Sequence, residues 1–213
     1  MVRPRCEGGS CSNPDKTNDT GKCLTKFKSS VSLLSFCRIL WYDRRELRQE
    51  DTDPMKKTIY LAGGCFWGCQ KYFDRLTAVV EKEVGYANGR TEHPTYEQVK
   101  HENTGHAETV RVVYDDQTLS LQDLLASYAA VIDPTVKDRQ GEDVGRQYRT
   151  GIYYETEEDG ASARAFLDEL GRRYDKPILV EAEPLRQFFP AEEYHQKYLE
   201  KNPGGYCHIH FDD

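Results

Sequence analysis

The run KKTIYLAGGCFWGCQKYFDRL, residues 56–76, constrains this chain more than any other stretch. KKTIYLAGG is short, β-rich and closed by two glycines, so it reads as a strand. FWGCQKYFDRL places Phe66, Cys69, Tyr72, Phe73 and Leu76 at helical spacing. A strand therefore gives way to a helix at Cys65, and Gly63-Gly64 allow a tight bend between them. The fold must mix strand and helix from its first elements.

The remaining pattern continues that alternation. VVEKEVGYANG reads as a strand ending in an Asn-Gly turn, and ETVRVVYDD alternates as a strand does. SLQDLLASYAAVIDP is an amphipathic helix stopped by Pro134. TGIYYET is a strand, and EEDGASARAFLDELGRRY is a helix with acids early and arginines late. ILVEAEP is a further strand and PAEEYHQKYLEKN a last helix, followed by a coil tail. The order β-α-β-β-α-β-α-β predicts an α+β two-layer sandwich. It has a ferredoxin-like core: a mixed sheet with helices packed on it.

Residues 1–54 have a different character. They are turn-rich, with one short helix predicted over 31–41 and a charged linker ending at Pro54. The expected organisation is a disordered or non-native extension, 1–54, and a single catalytic domain, 55–213. No apolar run reaches the length of a membrane span, and VSLLSFCRILWY is short and interrupted by Arg38, so a cytoplasmic protein is expected. A net charge of −7 disfavours general nucleic-acid binding. Without a heptad pattern, a monomer is expected.

Seven cysteines cannot all pair. In a reducing compartment they suggest catalysis or metal binding more than bridging. Cys65 falls at a helix start, where unsatisfied N–H groups and the positive dipole end favour a thiolate and can hold an oxygen-bearing group. Phe66 and Trp67 beside it form an apolar wall. A small buried core cysteine is the plain alternative. Other residues able to act with Cys65 are Glu108, His106, Tyr96, Asp143, Tyr148, Tyr206 and Cys207. Cys207 could instead join His208 and His210 around a metal, although that cluster lacks further ligands at a suitable spacing.

The run GGCFWG, with PTYEQV, TGHAE, the Asp143–Arg149 segment DVGRQYR and the terminal NPGGYCHI, resembles the peptide methionine sulfoxide reductase A family over residues 55–213. That resemblance implies thiol-dependent reduction of the S epimer of methionine sulfoxide, free or in proteins, as antioxidant repair. It implies Cys65 as the nucleophile on the sulfoxide sulfur and Glu108 as general acid, kept protonated by desolvation. Tyr96 and Tyr148 would bond the sulfoxide oxygen, and Asp143 would order the site. Phe66 and Trp67 would cage the S-methyl group, with Tyr206 near the substrate. Cys65 would become a sulfenic acid, resolved by Cys207 and recycled by thioredoxin, or by dithiothreitol in vitro, with no bound cofactor or metal.

Two positions stand apart. Cys69, one turn beyond Cys65, reads first as a packed helical residue and second as an auxiliary thiol. Gln70 replaces an acid common in the family. Two other functions remain open on the residues alone. A Cys–His acyl-transfer hydrolase would pair Cys65 with His106 or His208. A non-catalytic binder of oxidised methionine would keep the pocket without turnover. Cys65 and Cys69 are spaced Cys-x-x-x-Cys, which disfavours a thioredoxin-type oxidoreductase.

Overall fold

The computed structural model describes residues 55–207 and Ile209. The expectations for residues 1–54, for the short helix within them, and for His208 and His210 lie outside that range. Among the described residues, no helix is long and apolar enough to cross a membrane.

The first strand, β1 (Lys56–Gly63), runs into helix α1 (Phe66–Phe73). Strand β2 (Val79–Ala87), the short helix α2 (Tyr96–His101) and strand β3 (Ala107–Asp115) follow. Helix α3 (Leu121–Ala129) leads to a two-stranded ribbon, β4 (Arg139–Gln140) and β5 (Asp143–Val144), and a 3₁₀ turn at Arg146–Tyr148. Then come β6 (Thr150–Tyr154), α4 (Glu157–Gly171), β7 (Glu181–Pro184), β8 (Phe188–Pro190) and α5 (Tyr198–Lys201).

The main sheet has six strands in the order β7-β6-β1-β3-β2-β8. Its inner four, β6-β1-β3-β2, pair antiparallel. With α1 between β1 and β2 and α3 between β3 and β6, this is the ferredoxin-like core that the sequence pattern predicts. Parallel β7 and antiparallel β8 extend it on either side.

Strand β1 is central because both its faces carry apolar side chains. Ile59 and Leu61 join Phe66, Phe73, Leu124, Leu125 and Tyr128 in the larger core. Tyr60 and Ala62 point the other way, into a small cluster with Ala87, Ala107 and Tyr153. Each large aliphatic side chain fully buried here contributes about 1.5–3 kcal/mol. Helices α2, α3 and α4 begin where the sequence supplies side-chain caps. Ser120 and Thr156 accept from backbone N–H groups three residues on, and Thr95 with Gln98 forms a reciprocal capping box on α2.

Three elements depart from the sequence expectation. Helix α2 lies between β2 and β3, which were expected to be consecutive. β8 is a strand that three residues, FFP, could not announce; it docks because Gly85 lets its backbone approach. A Cβ at Gly85 would lie 2.4 Å from the Phe189 carbonyl oxygen.

The predicted last helix shortens to four residues. Gln196 is drawn onto β2, where its Oε1 accepts from Val84 N–H (3.0 Å) and its Nε2 donates to Val84 O (2.8 Å). Lys197 then takes a left-handed conformation, φ 53°, and donates its N–H to Gln70 Oε1 at 2.7 Å. These tertiary bonds outcompete the local helix.

Candidate active site

At the end of β1, Gly64 turns the chain with φ 85°, a conformation suited to glycine. Cys65 follows as the N-cap residue of α1, in extended conformation (φ −61°, ψ 120°), with its side chain buried. Glu108 projects from β3 and is 2% exposed. Its Oε2 accepts the Phe66 N–H at 3.1 Å, so a free helix-start donor is spent on the carboxyl group.

Burial pushes the Glu108 pKa up to about 8, with the Phe66 N–H acting in the opposite direction and Asp143 adding to the rise. The carboxyl group is therefore mostly protonated at neutral pH. Because its unfolded value is near 4.5, the folded protein holds this proton more tightly between pH 4.5 and about 8. Glu108 contributes most to stability below that window and progressively less as pH rises through it. Glu108→Gln is expected to flatten this part of the stability–pH curve, as followed by chemical denaturation at several pH values.

Cys65 corrects one expectation. Its thiol is pushed well up, not down, first by burial and then by the neighbouring Glu108 charge. The Trp67 backbone N–H works the other way but does not prevail. The helix start is present, but its benefit is outweighed by removing the sulfur from water. In the protein alone Cys65 is a thiol.

Tyr96 and Tyr148 both lie within electrostatic reach of Glu108 and Cys65. Tyr96 opens α2, and its hydroxyl pKa is raised to about 12 by burial and then by Glu108 and Cys65. Tyr148 ends the 3₁₀ turn and is raised by burial and by Glu108, Tyr96, Asp143 and Cys65. Both therefore remain hydrogen-bond donors at neutral pH. Tyr206 donates to Asp143 Oδ2 at 3.0 Å, tying the tail to the β4–β5 ribbon. Trp67 flanks Cys65 on α1 and stacks on Tyr198 (ring centroids 3.8 Å apart, planes 14° apart).

Cys65, Cys69 and Cys207 are free thiols. Cys207 is half-buried, with its thiol raised by burial. Cys69 is 1% exposed, belongs to the main core, and donates its S–H to Gly63 O at 3.3 Å. That is the packed reading of this residue. Cys69→Ala is expected to cost about 1–3 kcal/mol in stability, read by denaturant midpoint, while leaving catalytic turnover within about twofold.

His106, the imidazole proposed for an acyl-transfer pair, is committed elsewhere. Its Nδ1 lies 3.0 Å from Thr104 Oγ1, its Nε2 lies 3.4 Å from Gln187 Nε2, and its ring meets Phe189. Burial, then Arg149, lowers its pKa to about 4.

Sequence reading missed two residues of the site's outer layer, Glu192 and His195. Glu192 accepts from Tyr86 Oη (2.8 Å) and the Tyr96 N–H (2.9 Å). His195 accepts from Trp67 Nε1 at 3.1 Å. Both lie in PAEEYHQ, where helical periodicity masked their inward-facing polar contacts.

A buried thiol beside a protonated carboxylic acid and two tyrosine donors, with His106 engaged by Thr104 and Gln187, fits a thiol oxidoreductase better than a Cys65–His106 hydrolase. Comparison with known proteins agrees. The family model for peptide methionine sulfoxide reductase matches residues 57–213, and the chain belongs to that family. It is 59% identical to the peptide methionine sulfoxide reductase MsrA of Lachnoclostridium phytofermentans over 155 residues, covering 73% of this chain and 93% of that one. The reduced form of Mxr1 from Saccharomyces cerevisiae superposes with a TM-score of 0.70 at 33% identity, covering 74% of this chain and 93% of that chain. Methionine sulfoxide reductase A of Corynebacterium diphtheriae gives 0.69 at 36% identity, covering 73% and 79%.

Proposed function

We propose that this protein reduces the S epimer of methionine sulfoxide, free or in polypeptides, to methionine. The observation that carries the reading is the buried, protonated Glu108 carboxyl group bonded to the backbone beside Cys65. Sulfoxide oxygen is a poor leaving group and needs a proton as the sulfur is attacked.

The sulfoxide oxygen binds among Glu108, Tyr96 and Tyr148, and the S-methyl group rests against Phe66 and Trp67. The sulfoxide sulfur carries partial positive charge, so its arrival beside Sγ favours the thiolate that burial otherwise resists. Cys65 attacks this sulfur as Glu108 protonates the oxygen. The sulfur–oxygen bond and the newly formed Sγ–sulfur bond then break as the hydroxyl moves to Cys65 to give a sulfenic acid, and an electron pair is left on methionine sulfur. The proton lost from Cys65 restores Glu108. Cys65 sulfur is oxidised by two electrons and the sulfoxide sulfur is reduced by two.

Asp143 holds Tyr206 and orders the mouth of the site. Cys207 then attacks the sulfenic acid, forming a disulfide and releasing water. A dithiol reductant of the thioredoxin type, or dithiothreitol, returns both thiols, and no bound metal or cofactor takes part. The catalytic unit is residues 55–213, acting in the cytoplasm as a monomer.

The test is consumption of racemic methionine sulfoxide with dithiothreitol. Turnover is expected to stop at half, leaving the R epimer intact. Equal loss of both epimers, or none, overturns the proposal. A protein lacking residues 1–54 is expected to keep its kcat/KM within about twofold.

A further inference from the structure

The side chain of His195 is buried among four aromatic rings. Its ring centroid lies 5.2 Å from Phe66, 5.6 Å from Trp67, 4.6 Å from Tyr96 and 4.1 Å from Tyr194. It is 1% exposed. An indole N–H can only donate, so the Trp67 contact at 3.1 Å requires His195 Nδ1 to accept. The neutral ring must then carry its proton on Nε2. That atom has no hydrogen-bond partner among the described residues and faces Glu192 Oε2 at 3.9 Å, outside hydrogen-bonding range but close enough for attraction.

Glu192 is itself fixed by Tyr86 Oη and by the Tyr96 N–H. A chain of contacts thus runs from β2 and the start of α2, through Glu192 and His195, to the edge of the Trp67 indole. Tyr198 covers a face of the same indole. An indole held at its N–H and on a face cannot pivot without breaking one of these contacts.

We propose that His195, in the Nε2–H form, is a positioning residue that fixes the Trp67 indole and thereby sets the size of the S-alkyl cage. The proposal rests on the sulfoxide-reductase reading of the site. It concerns specificity: a fixed indole admits a methyl group and resists a larger alkyl group, whereas a loose one yields to both.

Two substitutions separate anchoring from packing. His195→Phe keeps a ring but removes the acceptor. His195→Asn loses ring contact but places an oxygen near the position of Nδ1. His195→Phe is expected to raise KM for the S-methyl substrate about fivefold, the worth of one hydrogen bond, with kcat of the first step within about twofold. Its preference for methionine sulfoxide over the S-ethyl homologue, ethionine sulfoxide, is expected to fall by about as much. His195→Asn is expected to recover at least half of both losses. Identical KM and methyl-to-ethyl ratios in the two variants would reduce His195 to packing and overturn the proposal.

Nitrogen NMR of the unaltered protein provides a test independent of turnover and of variant folding. His195 is expected to show a bare, hydrogen-bonded Nδ1 and a protonated Nε2, with the Trp67 indole proton shifted downfield. A proton on Nδ1 overturns the proposal even if the enzyme is fully active. The expected spectrum sustains the anchor even if the protein reduces no sulfoxide.

Discussion

Glu108→Gln is expected to slow the first step, measured as methionine released in a single turnover, by about 10²–10⁴-fold at pH 7. The amide nearly preserves shape and still accepts the Phe66 N–H, so the loss isolates proton donation. The pH profile adds a second signature. With the carboxyl pKa near 8, the acid form is the major one at pH 7 and is depleted above pH 8. The unaltered protein should therefore lose single-turnover rate above about pH 8, whereas the Gln variant, slow throughout, should lack that limb. If Glu108→Gln retained more than about a tenth of the rate, sulfoxide protonation would have to come from another donor. Tyr148 and Tyr96 would be the next residues to replace.

Cys207→Ser is expected to separate the two halves of the cycle. The first half should survive, with a burst of about one methionine per protein. Thioredoxin-coupled steady turnover should then fall by at least about 100-fold, because no intramolecular disulfide forms. A sulfenic acid should accumulate on Cys65, detectable with a dimedone-type reagent. Continued thioredoxin-coupled turnover in Cys207→Ser, abolished only when Cys69 is also replaced, would reassign resolution to Cys69. The S–H···O bond from Cys69 to Gly63, on the core side of α1, argues for Cys207.

The inner sheet was legible in the sequence because its strands obey simple rules. Strand β3 carries a β-branched run that is buried on both faces rather than alternating as expected, β1 is a short β-rich run closed by glycines, and α3 and α4 carry caps and amphipathic faces. The added strand β8 was not legible, since its existence depends on the bare backbone of Gly85 rather than on its own residues. The last predicted helix failed for a related reason. Gln196 reads as a good helix former, but its amide finds a backbone partner on β2 that no local pattern encodes.

The candidate site divides in the same way. Cys65 could be picked out from Gly-Gly and the helix phase, but its protonation state could not. A dipole argument needs only the local chain, whereas desolvation depends on what α1 and β3 bury together. The imidazole that matters to Trp67 is His195, distant in sequence, and not His106, which lies two residues from Glu108.

The bonds from Gln196 to Val84 and from Lys197 to Gln70 have a further consequence for the tail. They fasten the chain to the sheet and to α1 about ten residues before Cys207, a span that cannot exceed ~35 Å when fully extended. The thiol of Cys207 is thus confined to a small volume around the site, where a short tether gives an effective concentration of the order of millimolar. Any oxidant or small thiol reaching a sulfenic acid on Cys65 must compete with that local supply. On the proposed mechanism, the glutamine that interrupts a helix would therefore also shorten the lifetime of a sulfenic acid on Cys65.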